Sequence, residues 1–347
     1  MANIVPTQSE LPIEQVQAIY FDPLALREPS YKLYRINTPK GRYYYTLNAL
    51  GIPTLYIGMT TMLAYVIPKP SGLMKWMSDM GYEKSQRYMR EKAFYGTLMH
   101  TETANFCLNK FYDLDTVDKV VSDYIFKNQL VLEFSTKEQW IEDLKKDIAG
   151  WIQFCFDYNF RPIAIEVMLV HPDGYSGTLD YFGYMDIPVT GFWGEVYKSG
   201  ERKDQPKETK KLITQKVIID LKSTRKGTGD EEKDVQLEGY KKLFEHNFPE
   251  HIVEKLYNWS PKDWRTKPTY TLNDKTDSVD LEKFDAWVRV AQVELMKKDP
   301  VFARITGKFK MGEEPANCYS EMSIIDYITQ RDHSTIKSVA NQEDLPL

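Results

Sequence analysis

The chain contains 347 residues and carries a formal net charge of −5, with a pI near 5.7. This balance counts mildly against a protein that coats nucleic acid non-specifically, although a local groove or bound cations can set the field that a phosphate meets. The hydrophobic content of 42% and the charged content of 27% are typical of a globular protein, with enough chain for one large domain or two small ones.

Three cysteines lie far apart, at Cys107, Cys155 and Cys318. Without a C-x-x-C pair they supply no four-thiolate zinc or iron–sulfur site, and their odd, sparse count suits a reducing compartment. The first ten residues lack the basic and apolar regions of a signal peptide. No apolar run approaches the roughly 20 residues that cross a bilayer. We therefore expect a soluble, cytoplasmic protein with no membrane partner.

The first half of the chain is predicted to be mainly helical. Residues 1–58 indicate an N-terminal elaboration in which proline and polar residues alternate with β-rich pieces at 42–47 and 54–57. Pro68 and Pro70 interrupt the helical pattern that follows. Helices are predicted at residues 60–66, 71–76, 83–112 and 136–158. The last of these is clearly amphipathic, with Trp140, Leu144, Ile148, Trp151, Ile152 and Cys155 at helical spacing.

The second half is predicted to contain most of the strands. The strand patterns lie at 163–170, 177–187, 217–222, 252–259 and 269–272, and helical patterns lie at 232–246 and 280–298. Residues 198–216 carry seven Lys or Arg against three Asp or Glu, which favours an exposed hairpin extension. Helices followed by a mixed sheet with a crossing helix predict an α/β or α+β fold, with a central mixed sheet flanked by helices.

Asp220 and Lys222 are the first candidate site residues. On a strand they project to the same face, so a carboxylate and an ammonium point together. Phosphodiester hydrolysis needs a metal that holds the scissile phosphate and a positive group beside it. The carbonyl of Leu221 could complete the metal shell. The alternative is a surface D-x-K that occurs by chance.

Two further carboxylates precede this strand. Asp180 follows Gly177 on a segment expected to pair beside residues 217–222, and two carboxylates from neighbouring strands suit a hard divalent cation. Glu166 lies on the preceding strand, where its carboxylate could lie next to Asp180 as a ligand or water-orienting group. The alternatives are an exposed Asp180 in a turn and an exposed strand glutamate.

Three helical residues complete the candidate set. Gln236 and Tyr240 are four apart and share a helix face, so they could reach Lys222 or a phosphate; a polar helix face is the alternative. His100 could add a nitrogen ligand, which favours manganese, or it could be a structural histidine. Gly96, one turn earlier, allows close approach of another backbone.

Together these residues resemble the PD-(D/E)xK nuclease superfamily, in particular its RecB-type and lambda-exonuclease-type branch. The similarity covers about residues 58–275, including the lead-in at 60–76. The matching motifs are G-x-x-x-H at Gly96 and His100, G-x-x-D at Gly177 and Asp180, D-x-K at Asp220 and Lys222, and Q-x-x-x-Y at Gln236 and Tyr240. The resemblance implies a restriction-endonuclease-like core at residues 59–300 and a C-terminal extension at 301–347.

The resemblance also implies roles. Asp180 and Asp220 would bind catalytic Mg²⁺ or Mn²⁺ together with His100, and Lys222 would position or activate water. Gln236 and Tyr240 would steady the site or the nucleic acid. The implied function is a metal-dependent DNA nuclease, acting as an exonuclease in recombination, repair or phage DNA processing. A non-catalytic DNA-binding or assembly subunit, and an interaction protein with accidental matches, are the alternatives.

The resemblance predicts partners as well. Single- or double-stranded DNA is the expected substrate, and no iron–sulfur cluster is expected. Because the sequence has no G-x-x-x-x-G-K-[ST] phosphate loop, ATP-driven unwinding would need a partner helicase. A single-strand-annealing or single-strand-binding protein is the other candidate partner.

Two segments are candidates for gripping DNA. Residues 198–216 could contact phosphates or be a solvated loop. Residues 258–265 interleave aromatic and basic side chains as stacking platforms do, although a buried tryptophan is the commoner outcome.

Overall fold

A computed structural model describes residues 19–20, 26, 29, 31, 33–38, 41–47, 53–224, 231–277 and 281–298. The predicted C-terminal extension at 301–347 lies outside these residues, as does the start of the predicted N-terminal elaboration.

The described part of the chain contains seven α-helices and nine strands. The helices are α1 (Met59–Val66), α2 (Ser71–Met80), α3 (Tyr82–Asn109), α4 (Val117–Lys127), α5 (Lys137–Asp157), α6 (Glu231–Asn247) and α7 (Leu281–Lys298). The strands are β1 (Ile19–Tyr20), β2 (Leu33–Thr38), β3 (Gly41–Leu47), β4 (Pro53–Gly58), β5 (Arg161–Val170), β6 (Tyr175–Val196), β7 (Pro206–Leu221), β8 (Lys255–Pro261) and β9 (Tyr270–Asp274). A short 3-10 turn, Leu114–Thr116, leads into α4. None of the described helices is long and apolar enough to span a bilayer.

All the strands belong to one mixed sheet. Its order is β2-β3-β4-β6-β7-β8-β9, and β5 pairs with the other edge of β6 and carries β1 beyond it. The β4–β6 and β7–β8 pairs are parallel, and the remaining pairs are antiparallel. The predicted mixed α/β class is confirmed. Strands β2 to β4 continue the same sheet, while the predicted boundary between residues 58 and 59 stays a prediction.

Helices cover both faces of the sheet. The α6-side core contains Met62 and Leu63 of α1, Leu237 and Phe244 of α6, and Phe284 and Ala291 of α7. The α5-side core contains Leu98 and Met99 of α3, Val117 and Val121 of α4, and Leu144 and Trp151 of α5. Alternate residues of β7 pack in opposite cores, since Ile218 lies in the α6-side core and Ile219 in the α5-side core. Each fully buried leucine or phenylalanine contributes about 1.5–3 kcal/mol to this packing.

Helix α5 shows how the sequence determines one of these elements. The Thr136 hydroxyl accepts from the Gln139 N–H, and the Gln139 side chain accepts from the Thr136 N–H, which forms a capping box at the helix start. Four of the six predicted apolar positions are fully buried; Ile152 and Cys155 are only partly buried. The predicted amphipathic helix is therefore confirmed.

The longest strands form a projecting two-stranded ribbon. Strand β6 has 22 residues, and beyond Ile187, which pairs with Ile213, it pairs only with the first half of β7 among the described strands. Phe192 and Leu212 are exposed on this ribbon, at 67% and 71%. The predicted exposed hairpin extension at 198–216 is confirmed, and it begins earlier than the charge pattern indicated.

The aromatic and basic segment at 258–265 is not a free platform. Trp259 is fully buried in the α5-side core, and the Trp264 ring N–H donates to the Lys146 carbonyl at 3.3 Å. Buried Trp259 cannot stack on a base, so the core interpretation of this tryptophan is confirmed.

Candidate metal centre

Along one edge of β6 the sheet divides between two neighbouring strands, β4 and β7. We call the gap between them, at residues 177–180, the fork. The first residues of β6, Tyr175 and Ser176, pair with β4, whereas β7 pairs from Tyr181 onward. In the described sheet, neither strand pairs with residues 177–180 on this edge. Tyr181 stands opposite Ile219, so Asp180 and Asp220 lie at the mouth of the fork. The predicted pairing of these two segments is confirmed.

An unusual backbone conformation places Glu166 at the same point. Its φ is +55°, in the left-handed region, which costs a non-glycine residue about 1–2 kcal/mol. Residues two apart on a regular strand face the same side. Here Ile165 packs in the α5-side core and Val167 in the α6-side core, so the alternation breaks at Glu166. No sequence pattern signals this break, because glutamate is not enriched at positive φ.

Three side chains converge at the fork. His100, on α3, has its Nδ1 3.6 Å from Glu166 Oε1 and 3.6 Å from Asp180 Oδ1. The three potential ligand atoms lie within 4.8 Å of one another. Asp180 is held in place because its Oδ2 accepts the Leu221 N–H at 2.7 Å. One nitrogen and two carboxylates at this spacing can bind a divalent cation.

The charges of these groups perturb one another strongly. Burial raises the pKa of Asp180 to about 7, and the Asp220 and Glu166 carboxylates also raise it, against the effect of His100. Burial alone would lower the pKa of His100, but Asp180, Glu166 and Asp220 together raise it to about 9. The metal-free site therefore holds protons near neutral pH that a cation would displace.

Asp220 and Lys222 meet on the neighbouring strand. Asp220 is buried, and the Lys222 ammonium contacts its carboxylate, as expected from their positions on one strand face. The Lys222 N–H donates to the Trp259 carbonyl at 2.8 Å, which continues the β7–β8 ladder past the last β7 residue. The side chains that converge are therefore those of His100, Glu166 and Asp180. That Asp220 and the Leu221 carbonyl bind the metal stays a prediction.

Helix α6 packs closely against β6 at the fork. A Cβ at Gly177 would lie 2.8 Å from Tyr240 Cε1 and 3.1 Å from Leu243 Cδ1, so only glycine permits this approach. The Gln236 amide donates to the Tyr240 hydroxyl at 2.6 Å. Tyr240 is buried, and burial with the nearby Asp220 and Asp180 charges raises its pKa well above the usual value. This position favours a site-supporting role for Tyr240 over contact with nucleic acid.

Helix α3 approaches the end of β7 at Gly96. A Cβ there would lie 3.3 Å from Ser223 Oγ and 3.7 Å from Ser223 Cβ. Gly96 therefore allows close packing, against a side chain rather than the backbone that the sequence led us to expect.

Sequence reasoning missed Tyr44, which comes from the N-terminal strands. Its hydroxyl and the Thr178 hydroxyl are 2.9 Å apart in a buried hydrogen bond. This contact joins β3 to the segment that carries Asp180, across 134 residues of chain. The run of tyrosines at 43–45 signals a packed strand but does not indicate its partner.

Comparisons with known proteins place few limits on this site. No family model and no curated protein matches the chain. A solved structure from Eubacterium rectale, described as "Putative exonuclease", aligns over 66% of this chain and 79% of its own, with 12% identity and a TM-score of 0.29. A likeness this distant carries no argument about function, so the functional case depends on the site itself.

Proposed function

We propose that this chain is a metal-dependent DNA nuclease of the PD-(D/E)xK superfamily, acting as an exonuclease in recombination, repair or phage DNA processing. The observation that carries the proposal is the convergence of His100, Glu166 and Asp180 at the fork, with Asp220 and Lys222 at the adjoining strand end. The same residues belong to the motifs that resemble the superfamily.

Each part of the site fits a phosphodiester hydrolase. Bound Mg²⁺ or Mn²⁺ would supply Lewis acidity and lower the pKa of a coordinated water. His100, Glu166 and Asp180 are the residues that would hold it, and the nitrogen of His100 favours manganese. Lys222 provides the positive charge that stabilises a phosphate acquiring negative charge. His100 and Glu166 keep 25% and 20% of their side-chain surface exposed, so solvent reaches the site.

A cleavage assay tests the proposal. End-labelled linear and circular DNA, single- and double-stranded, would be incubated with Mn²⁺ or Mg²⁺ and the natural protein. We expect degradation of linear DNA that requires the metal. Asp180→Asn and Lys222→Ala should each abolish it, because one removes a ligand charge and the other the positive group.

Asp186→Asn is the matched control. Asp186 lies on the same strand, and its carboxylate binds Arg161, Asn159 and Thr214 away from the fork. This variant should retain cleavage. Full activity in Asp180→Asn would contradict the proposal, and absence of cleavage by the natural protein with either metal would favour the assembly-subunit alternative.

A further inference from the structure

Strand β8 carries two polar side chains next to the Asp220 strand end. Asn258 stands opposite Asp220 in the parallel β7–β8 pair, and Ser260 follows two residues later. Neighbouring positions show which face they share. Ile218 and Leu256 pack in the α6-side core, whereas Leu221 and Trp259 pack in the α5-side core. Strand alternation therefore puts Asn258, Ser260 and Asp220 together on the α6 side of the sheet.

We call Asn258 and Ser260 the β8 polar pair, and both are fully enclosed. Asn258 is 1% exposed and Ser260 is 2% exposed. Among the described residues, no protein group hydrogen-bonds to Asn258 Nδ2, to Asn258 Oδ1 or to Ser260 Oγ. Buried donors and acceptors without partners destabilise a fold, and native proteins usually satisfy such groups with ordered water.

The chemistry of the pair favours water over a second cation. A cation would satisfy Asn258 Oδ1 and Ser260 Oγ, but it would leave the Nδ2 donor unpaired. The Lys222 ammonium in contact with Asp220 would also repel it. Water both donates and accepts, so it can satisfy every unpaired atom of the pair and reach the neighbouring carboxylate.

We propose that the β8 polar pair binds internal water against Asp220 and so positions the Asp220–Lys222 pair. Asn258 and Ser260 are then positioning residues. Ordered hydrogen bonds behind a functional carboxylate fix its orientation, and their loss typically lowers activity or metal affinity about 10- to 100-fold. The catalytic part of this inference rests on the proposed nuclease function, whereas the water site itself does not.

A crystal structure that resolves ordered solvent tests the water site directly. We expect at least one water within about 3.2 Å of both an Asn258 side-chain atom and Ser260 Oγ. A dry pair, or a different side chain seated on both groups, would overturn the proposal whether or not the protein cleaves DNA.

Asn258→Leu tests the positioning role. Leucine has a similar size but removes one partner of the bound water, so the melting temperature should fall. We expect kcat for DNA cleavage to fall about 10- to 100-fold with little change in KM. A purely structural residue would lower the melting temperature and leave kcat of the folded enzyme unchanged. Asn258→Ser, which keeps a group that donates and accepts, should recover most of the lost rate.

Leu256→Val provides the matched control on the same strand face. It should lower the melting temperature through a small cavity and leave kcat unchanged. An unchanged kcat in Asn258→Leu would overturn the positioning role. If the natural protein cleaves no DNA, the nuclease proposal fails. The crystal structure alone then shows whether the β8 polar pair binds water.

Discussion

At the scale of single residues, the fork concentrates groups whose protonation depends on one another. Asp180 is buried beside two other carboxylates, and His100 is surrounded by all three. Such a cluster is unfavourable when every acid is ionised and no cation is present. The stability of the metal-free protein should therefore report on the site without any assay of cleavage.

The metal-free protein should become less stable as the pH rises from about 5 to 9. The pKa of Asp180 is raised to about 7 in the folded state, so the folded chain holds a proton that the unfolded chain has released. The raised His100 pKa of about 9 contributes stability that is fully present below its unfolded pKa and is lost as the pH passes 9. Thermal melts in EDTA across this range measure the slope.

Two comparisons, one between variants and one with added Mn²⁺, show whether the site causes this dependence of stability on pH. Asp180→Asn should flatten it, whereas Asp186→Asn should not, because the Arg161, Thr214 and Asn159 contacts lower the Asp186 pKa and move its titration below this range. Saturating Mn²⁺ should instead stabilise more at higher pH, since the ligands bind in their deprotonated forms. A metal-free protein whose stability rises between pH 5 and 9 would contradict this description of the site.

Glu166 combines a candidate metal ligand with a strained backbone. Glu166→Gly and Glu166→Ala both remove the carboxylate, so both should weaken Mn²⁺ binding in a calorimetric titration. The glycine variant should be about 1 kcal/mol more stable than the alanine variant in chemical denaturation, because glycine adopts a φ of +55° without strain. Equal stabilities would show that the strand relaxes at this position.

At the scale of elements, close packing of α6 on β6 links two motifs that the sequence presents separately. Gly177→Ala should destabilise the protein by about 1–3 kcal/mol, because the added Cβ would overlap the Tyr240 ring and push the helix away. Gly72→Ala, where a Cβ meets nothing within 4 Å, should be neutral or slightly stabilising. Urea denaturation measures both. Equal effects of the two substitutions would contradict the packing argument.

Local pattern was enough to predict most elements and the strand positions of the site. Pro68 and Pro70 separate α1 from α2, and the apolar spacing of α5 defined its buried face. Two features could not be predicted in this way. Helix α4 is only 11 residues long, and the break at Glu166 falls between Ile165 and Val167, which both pair with β6, at a residue type that does not signal it.

At the scale of the whole molecule, the site depends on contacts between distant parts of the chain. Thr178 meets Tyr44 across 134 residues, and the β8 polar pair reaches Asp220 only through the parallel register of β7 and β8. Single-sequence patterns carry no information on register between distant strands. The motif residues could therefore be predicted, while Tyr44, Asn258 and Ser260 required the structure.

The ribbon formed by β6 and β7 projects beyond the other described strands of the sheet. From Ile187 to Val196 it spans roughly 30 Å at about 3.3 Å per residue. Its turn and second strand carry most of the basic residues of the segment at 198–216. Because the ribbon pairs only within itself among the described strands, we expect that it can be shortened without disturbing the fork.

Replacing residues 188–212 with Asn-Gly tests what the ribbon does. Ile187 and Ile213 are paired, so a two-residue turn can close the strands there. We expect the shortened protein to keep its fold and its Mn²⁺ stabilisation, which is about 2.7 kcal/mol at 100 times the dissociation constant. Its affinity for DNA should fall at low salt, and the dependence of log K on log salt should become shallower by about 0.9 for each lost phosphate contact with duplex DNA. Fluorescence anisotropy with labelled duplex over a salt series measures both quantities. Unchanged affinity and slope would assign the basic residues to a solvated loop, and loss of Mn²⁺ stabilisation would show that the ribbon helps to hold the fork together.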